Sequence, residues 1–206
     1  MLDVLEVYER PYDRLRPQIC IDEKNHQLFA EMRAAKPLSK GKPRRIDYEY
    51  IRKGVLNEFV CIEPRTGKLH VRTVERRTGR EFAKFLEFIV MRVYKSAQKL
   101  ILVTDNLNIH HEKAVRDTYT HEYAKQILDR IEWHYPPIHA SWLDQAEIAI
   151  NGLTRAVLRR RIKTKQEVQK QVRAYQKRMN THPKPINWQF TREKAKTKFH
   201  LTTIIL

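Results

Sequence analysis

The chain has 206 residues, which is enough for one domain with a hydrophobic core, or for such a domain with a short extension. Its 41 lysines and arginines against 24 acidic residues give a formal net charge of +17, which indicates a polyanionic partner and favours nucleic acid. No apolar run approaches transmembrane length and the N-terminus has no signal-peptide pattern, so we expect a cytoplasmic protein without a membrane partner.

The first half of the chain predicts a short helix, one strand and a hairpin. The helix is broken by Pro11, and QICID then predicts a short apolar strand that ends on Asp22. Residues 25–54 are interpreted as a long excursion from the domain. NEFVCIEPRTGKLHVRTV predicts two strands joined by a turn at Gly67.

The second half alternates helices and strands. Apolar residues recur at helical spacing over 80–97, and KLILVTDN predicts a buried strand that stops at Asp105. Helical character over 111–130 precedes a short strand, IEWHY, and Ser141 is a natural start for the next helix. A last amphipathic helix is predicted at about 164–180. This order predicts an α/β fold in which helices flank a mixed sheet.

The helix that begins near SWLDQAEIAI carries two carboxylates that are not equivalent. Asp144 is explained by the helix start, where an acid accepts hydrogen bonds from free N–H groups and complements the helix dipole. Glu147 lies at the edge of the apolar face, where helix capping does not explain it. Burying a lone carboxylate is unfavourable without a positive partner, so Glu147 is either solvated or faces a cation.

Two aspartates each follow a predicted core strand. Alone, Asp22 or Asp105 would be interpreted as a turn former or a cap. Functional sites in open α/β sheets, however, gather beyond the carboxyl ends of strands, so both could converge there with Glu147. Three close carboxylates need a counter-cation, and oxygen ligands favour Mg²⁺ or Mn²⁺. With the basic charge of the chain, this pattern predicts two-metal phosphoryl transfer on nucleic acid.

Three motifs together carry a resemblance to a known family. CIDEK, LVTDNLNIHH and HASWLDQAEI resemble the catalytic domain of bacterial DDE transposases, most closely the mariner-related insertion-sequence 630 family. The resemblance runs from YERPYD to NWQFT, nearly the whole chain. It implies an RNase H-like fold and cut-and-paste DNA cleavage and strand transfer with two Mg²⁺ or Mn²⁺ ions. Asp22, Asp105 and Glu147 would be the catalytic, metal-binding acids.

The resemblance also implies partners and a division of the chain. We expect transposon ends and a TA-containing target as DNA partners, a homodimer in a synaptic complex, and a location at the bacterial nucleoid. The expected parts are an N-terminal link at 1–16, an RNase H-like DDE catalytic core at 17–160 and a basic helical C-terminal segment at 161–206.

The chain departs from the family pattern in three ways. The family usually has Asn at the position of Asp144. The 41 residues between Asp105 and Glu147 exceed the spacing typical of mariner relatives. Family members carry helix-turn-helix modules before the link, whereas this chain starts at the link. We therefore expect that the end-recognition module is missing and that a separately encoded helix-turn-helix protein supplies it.

Two basic runs and one histidine are candidate contacts to nucleic acid. The candidates are Lys40, Lys42, Arg44 and Arg45 in KPLSKGKPRR, Arg159, Arg160 and Arg161 in LRRRIKTK, and His110 in the DNLNIH motif. The basic runs could instead be solvated charge, and His110 could lie near the metals or serve only as a cap. The same acids would also suit an RNase H-like nuclease or resolvase, or survive in an inactive nucleic-acid-binding remnant of a transposase.

Overall fold

A computed structural model describes residues 1–43, 45, 47–107 and 109–201. These residues form a five-stranded mixed sheet with seven α-helices around it, so the predicted α/β fold is confirmed. The strands are β1 (Gln18–Glu31), β2 (Tyr50–Glu63), β3 (Lys68–Val74), β4 (Leu100–Thr104) and β5 (Ile131–His134). The helices are α1 (Leu2–Glu9), α2 (Gly79–Phe88), α3 (Glu112–Thr118), α4 (His121–Leu128), α5 (Ala146–Leu153), α6 (Lys165–Thr181) and α7 (Arg192–Phe199).

The sheet has the strand order β3-β2-β1-β4-β5. β2 runs antiparallel to both of its neighbours, whereas β1, β4 and β5 are parallel. Strands β3, β4 and β5 therefore end on the same side of the sheet, at Val74, Thr104 and His134, which we call the carboxyl edge. Loops at this edge carry the candidate acid Asp105.

Helices cover both faces of the sheet and divide the core into two layers. Successive side chains of β1 point to opposite faces of the sheet. Cys20 packs in the cluster formed with α1, α5, α6 and α7, whereas Ile19 and Ile21 pack in the cluster formed with α2, α3 and α4. We call the first layer the α5 face. Because side chains two residues apart share a face, Asp22 belongs to the same α5 face as Cys20.

The first strand is longer than its sequence suggested. β1 does not end at Asp22 but continues to Glu31, and β2 starts at Tyr50, so much of the predicted excursion at 25–54 is a long hairpin. His26, Leu28 and Ala30 are buried at alternate positions. The sequence did not predict this part of β1, because it contains few apolar residues and most of its residues are charged or polar. Asp22 instead marks where β1 loses its partner β4, whose pairing ends at Ile21 and Thr104.

The two terminal segments pack onto the same core. Val4, Leu5 and Val7 of α1 are fully buried within the α5-face cluster. On α6, Asn180 accepts a hydrogen bond from the backbone N–H of Leu69 and donates one to its carbonyl, both at 2.8 Å, which occupies the open edge of β3. The division of the chain into link, core and C-terminal segment stays a prediction. None of the described helices combines the length and the apolar character needed to cross a membrane.

Glu58 on β2 is a buried carboxyl that should make stability depend on pH. Its side chain is inaccessible to solvent, and one oxygen accepts a hydrogen bond from the Thr73 hydroxyl at 2.6 Å, while the other has no partner among the described residues. Burial raises the pKa of Glu58 from 4.5 to about 7, although the hydrogen bond from Thr73 opposes the shift. The folded protein therefore favours the protonated acid.

We expect Glu58→Gln to stabilise the protein at neutral pH. A pKa that is higher in the folded state means that stability is retained below about pH 4.5 and is lost as the pH rises to about 7. The free energy of unfolding of the variant should exceed that of the parent by about 2 kcal/mol at pH 8, and by much less at pH 4.5. Urea unfolding at both pH values measures the difference. The exposed Glu31→Gln is the control, and equal pH dependence in parent and Glu58→Gln would contradict the assignment.

Candidate active site

Asp22 on β1 and Asp105, the first residue after β4, lie at the same point along two neighbouring parallel strands. The last residues paired between β1 and β4 are Ile21 and Thr104, so each aspartate directly follows the last pair, where the strands are about 4.8 Å apart. Burial, together with the charges of Glu23 and Asp105, raises the pKa of Asp22 to about 7, although a hydrogen bond from the Glu23 backbone N–H opposes the shift. The pair is therefore a site where a cation would be stabilised.

His110 links Asp105 to a second, more buried carboxylate. Its Nδ1 contacts Oδ1 of Asp105, and its Nε2 lies 2.7 Å from Oε2 of Glu23 as an ion pair rather than a well-aligned hydrogen bond. Arg77 completes the chain of charges with Nη1 at 2.7 Å from Oε1 of Glu23. The imidazole is fully buried against the ring of Phe82. Every charged group in this network faces an opposite charge, so the network holds Asp105 in place.

The network shifts the titration of its members in opposite directions. Burial lowers the pKa of His110, but its contacts with Asp105 and Glu23 outweigh burial and raise the pKa to about 9. Burial likewise raises the pKa of Asp105, yet the hydrogen bond and charge of His110 bring it below the ordinary value. At neutral pH the site therefore holds an imidazolium beside an ionised Asp105.

The helix that carries Glu147 starts later than the sequence suggested. Ser141–Leu143 forms a single 3₁₀ turn, Asp144 is extended with ψ 111°, and α5 begins at Ala146. α5 packs on the α5 face of the sheet, the face of Asp22. Glu147 is half-buried in the first turn of α5. Glu147 therefore lies on a helix that packs on the same face of the sheet as Asp22, and its role as the third acid stays a prediction.

Asp144, which the sequence explained as a helix-start residue, is buried, with 1% of its surface exposed. Its Oδ1 accepts a hydrogen bond from the N–H of Ala146 at 2.8 Å, as expected at a helix start, but its Oδ2 has no partner among the described residues. Burial, and then the charge of Asp22, raise the pKa of Asp144 well above its ordinary value. α5 begins two residues after Asp144, so the helix start predicted at Ser141 gave no indication of this burial.

The acids fit a hard divalent cation only in part as they stand. Within the described residues, no three His, Cys, Asp or Glu side chains are grouped closely enough to hold a metal ion. Mg²⁺, however, is commonly held by one or two carboxylates, with water and substrate phosphate oxygens completing its shell. Asp22 and Asp105 meet that requirement, since His110 contacts Oδ1 of Asp105 and its second oxygen remains for a metal. The two aspartates, and not a group of three acids, therefore fit Mg²⁺ or Mn²⁺.

Comparison with known families and structures agrees with this geometry. Residues 17–169 match the family described as DDE superfamily endonuclease. The chain belongs to this family. No curated protein matches the chain in sequence. The predicted family is thereby confirmed at the level of the DDE superfamily.

Solved structures share the fold at low sequence identity. The Mos1 transposase paired-end complex with the left transposon end is 16% identical with a TM-score of 0.55, covering 84% of this chain and 52% of that one. The mariner Mos1 paired-end complex with Mg is also 16% identical, with a TM-score of 0.54 and coverage of 88% and 55%. The simian T-cell lymphotropic virus intasome in complex with the PP2A regulatory subunit B56 gamma is 12% identical, with a TM-score of 0.52 and coverage of 93% and 57%.

This chain thus spans about half the length of the chains it resembles. The likeness supports the RNase H-like fold predicted for a DDE domain, since its sheet and flanking helices superpose on those of the Mos1 transposase. At these identities the likeness concerns the fold alone, and the roles of individual residues rest on the geometry described above.

The predicted DNA contacts of this DDE domain fall into three groups. Lys40, Lys42 and Arg45 are exposed near the tip of the β1–β2 hairpin, and Arg44 lies outside the described residues. Arg159 and Arg160 are exposed after α5. Arg161 instead ties the hairpin to the domain, because its guanidinium donates to the carbonyl of Asp47 at 2.6 Å and lies over the Tyr50 ring.

His110 does not fit the contact to nucleic acid predicted for it. Its ring is fully buried, and both ring nitrogens face carboxylates, which leaves no nitrogen for a phosphate. Its position agrees with the other interpretation of the sequence, a residue near the metal-binding acids. Glu23 and Arg77 were missed. Glu23 follows Asp22 directly in CIDEK and could have been suspected, whereas nothing in ERRTGR distinguishes Arg77 from its neighbours.

Proposed function

We propose that this chain is the catalytic domain of a DDE transposase that cuts transposon ends and joins them to a TA-containing target. The observation that carries the proposal is the position of Asp22 and Asp105 directly after the last paired residues of β1 and β4, with α5, which carries Glu147, packed on the face of Asp22. Membership of the DDE superfamily and the net charge of +17 support DNA as the substrate. The insertion-sequence 630 subfamily, a homodimeric synaptic complex at the bacterial nucleoid and a separate helix-turn-helix partner are parts of the same proposal.

The position and charge of each residue indicate its role in binding metal, positioning a metal ligand or contacting DNA. Asp22, Asp105 and Glu147 would hold two Mg²⁺ or Mn²⁺ ions, which supply Lewis-acid polarisation of phosphate oxygens and lower the pKa of bound water. His110 orients Asp105 and keeps it ionised. Asp144 holds the start of α5 through the N–H of Ala146, which places Glu147 one residue further along. Lys40, Lys42, Arg45, Arg159 and Arg160 are proposed phosphate contacts, as is Arg44.

The test is one assay that measures both cleavage of a DNA end and its transfer to a target. The chain is incubated with Mn²⁺, a labelled DNA end of the parent element and a TA-containing plasmid, with any neighbouring helix-turn-helix protein supplied. We expect cleavage at the end and joined products from a DNA end that already carries a free 3′-OH. Cleavage without joining would replace the transposase by a nuclease or resolvase. No reaction with either substrate would favour a binding protein without catalysis.

We expect Mn²⁺ binding to depend on the two strand-borne aspartates. Asp22→Asn and Asp105→Asn each remove a charged oxygen ligand, so isothermal titration with Mn²⁺ should show affinity at least about tenfold lower in each variant. Asp117→Asn, an exposed aspartate on α3, is the matched control and should bind like the parent. Undiminished binding in both Asp22→Asn and Asp105→Asn would remove the metal site from this proposal.

A further inference from the structure

A basic groove opens beside the candidate active site, at the end of β3. It has a volume of about 570 Å³ and lies between the start of α2 and the start of α6. Its basic side chains are Arg72, Arg76, Arg80 and Lys165, and we call it the arginine groove. Lys165 is the last residue of the basic run LRRRIKTK, whereas the three arginines lie outside both basic runs that the sequence indicated as nucleic-acid contacts.

The arginines of the groove are free to bind a ligand. Of the two acids in its lining, Glu75 is paired with Lys165 at 2.6 Å and Glu81 with Lys84 at 3.0 Å. In the part of the chain that the structure describes, none of the three arginines of the groove forms an ion pair. Three unneutralised guanidinium groups around one groove repel one another, which an anionic ligand would relieve.

The groove is close to the candidate acids and on the same edge of the sheet. Across the strands, Glu23 is paired with Phe59 and Phe59 with Arg72, so Arg72 lies two strand spacings, or about 10 Å, from Glu23, the residue after Asp22. Arg77, in the same loop as Arg76, contacts Glu23 of the His110 network. Successive phosphates of a DNA strand are farther apart than the 3.4 Å rise along its axis, so about 10 Å corresponds to about one or two phosphates.

We propose that the arginine groove binds the sugar-phosphate backbone of the DNA, within about two nucleotides of the phosphate that would react beside Asp22 and Asp105. A repeating polyanion is the ligand that can reach the acids and the groove at once. One planar guanidinium group can donate two parallel hydrogen bonds to a phosphate. The groove would therefore position the DNA strand through its backbone, without contacting the base edges that carry sequence information. The proposal rests on the proposed function for the identity of the DNA, but its test is independent of cleavage.

The test compares two triple variants that lose the same charge on opposite sides of the protein. The groove variant is Arg72→Gln, Arg76→Gln and Arg80→Gln, and the control variant is Arg14→Gln, Arg92→Gln and Lys95→Gln, whose residues are exposed near the opposite edge of the sheet. Binding to a fluorescent duplex is measured by anisotropy at several salt concentrations, without divalent metal so that no DNA is cut.

We expect the groove variant to bind the duplex at least about tenfold more weakly than the parent at moderate salt. Its plot of log affinity against log salt should be shallower by about 0.9 for each phosphate that the variant no longer neutralises, or by about two to three in total. The control variant should stay within about threefold of the parent and keep most of the slope. Thermal melting checks that each variant folds, and Arg76→Gln with Arg80→Gln, both exposed, replaces the triple variant if Arg72→Gln unfolds it.

Equal decreases in affinity for the two triple variants would overturn the proposal, because binding would then follow total charge alone. Parental affinity in the groove variant, or a parent that does not bind the duplex, would overturn it as well. Failure of the proposed function is a separate result, since it appears as absent cleavage by a chain that still binds DNA through the groove.

Discussion

Glu147→Gln should abolish metal-dependent cleavage of DNA and leave the protein folded. Glu147 is half-buried in the first turn of α5 and needs its charge only if it holds a cation. Gln keeps the shape but is a much weaker ligand, so we expect a loss of more than about a hundredfold in cleavage rate. Melting without metal should be unchanged or slightly higher, because one of several neighbouring acids has lost its charge.

Asp144→Asn is the informative comparison, since it changes the neighbouring acid in the same way. Asn can still accept the hydrogen bond from Ala146, and it removes a buried carboxyl oxygen that has no partner among the described residues. The pKa of Asp144 is raised by burial and by Asp22, so ionisation destabilises the fold as the pH rises above the ordinary value of a carboxyl. We expect Asp144→Asn to be more stable than the parent at pH 8, by about 1–2 kcal/mol, and to retain cleavage.

A helix-start role alone would give Asp144→Asn a small loss of stability, and the burial of the side chain reverses that sign. Both variants and the parent are compared by thermal melting without metal and by cleavage of a labelled DNA end with Mn²⁺. An inactive Asp144→Asn beside an active Glu147→Gln would exchange the roles assigned to the two acids. If both variants were inactive, Asp144 would belong to the metal-binding set.

His110→Gln is expected to weaken both Mn²⁺ binding and cleavage by about 10- to 100-fold. The imidazole contacts Asp105 with one nitrogen and lies 2.7 Å from Glu23 with the other, so its loss frees Asp105 to rotate and removes one of two cations from buried Glu23. Partners that orient metal ligands typically contribute that much to affinity or rate. His110 is a positioning residue here, because it is buried away from substrate.

Two further variants separate positioning from loss of the fold. Glu23→Gln keeps a hydrogen-bond acceptor for Arg77 but removes the charge that faces His110, so a smaller loss of Mn²⁺ affinity is expected. His111→Gln changes the adjacent histidine, which contacts the Tyr135 hydroxyl at 3.4 Å, and should behave as the parent. Titration with Mn²⁺ and melting are measured on all three. Parental Mn²⁺ affinity in a folded His110→Gln would show that His110 does not position Asp105.

Local patterns in the sequence were sufficient for most elements and for the strand-borne acids. A continuous apolar run predicted β4, and the turn at Gly67, with φ of 77°, predicted the β2–β3 hairpin. The α/β class and the place of Asp105 after a core strand followed from chain order and from the tendency of sites to lie beyond strand ends. These features depend on residues that are neighbours in sequence, so periodicity and turn chemistry carry enough information.

Only the tertiary structure decided the contacts between residues distant in sequence. The extension of β1 past Asp22 depends on pairing with β2, and its few apolar residues gave no local signal for a strand. The burial of Asp144 depends on where α5 meets the sheet, which moved the start of that helix to Ala146. The links from His110 to Glu23 and from Glu23 to Arg77 join groups 87 and 54 residues apart. Charge and burial at such contacts are set by the packing of separate elements, which no local pattern of residue types specifies.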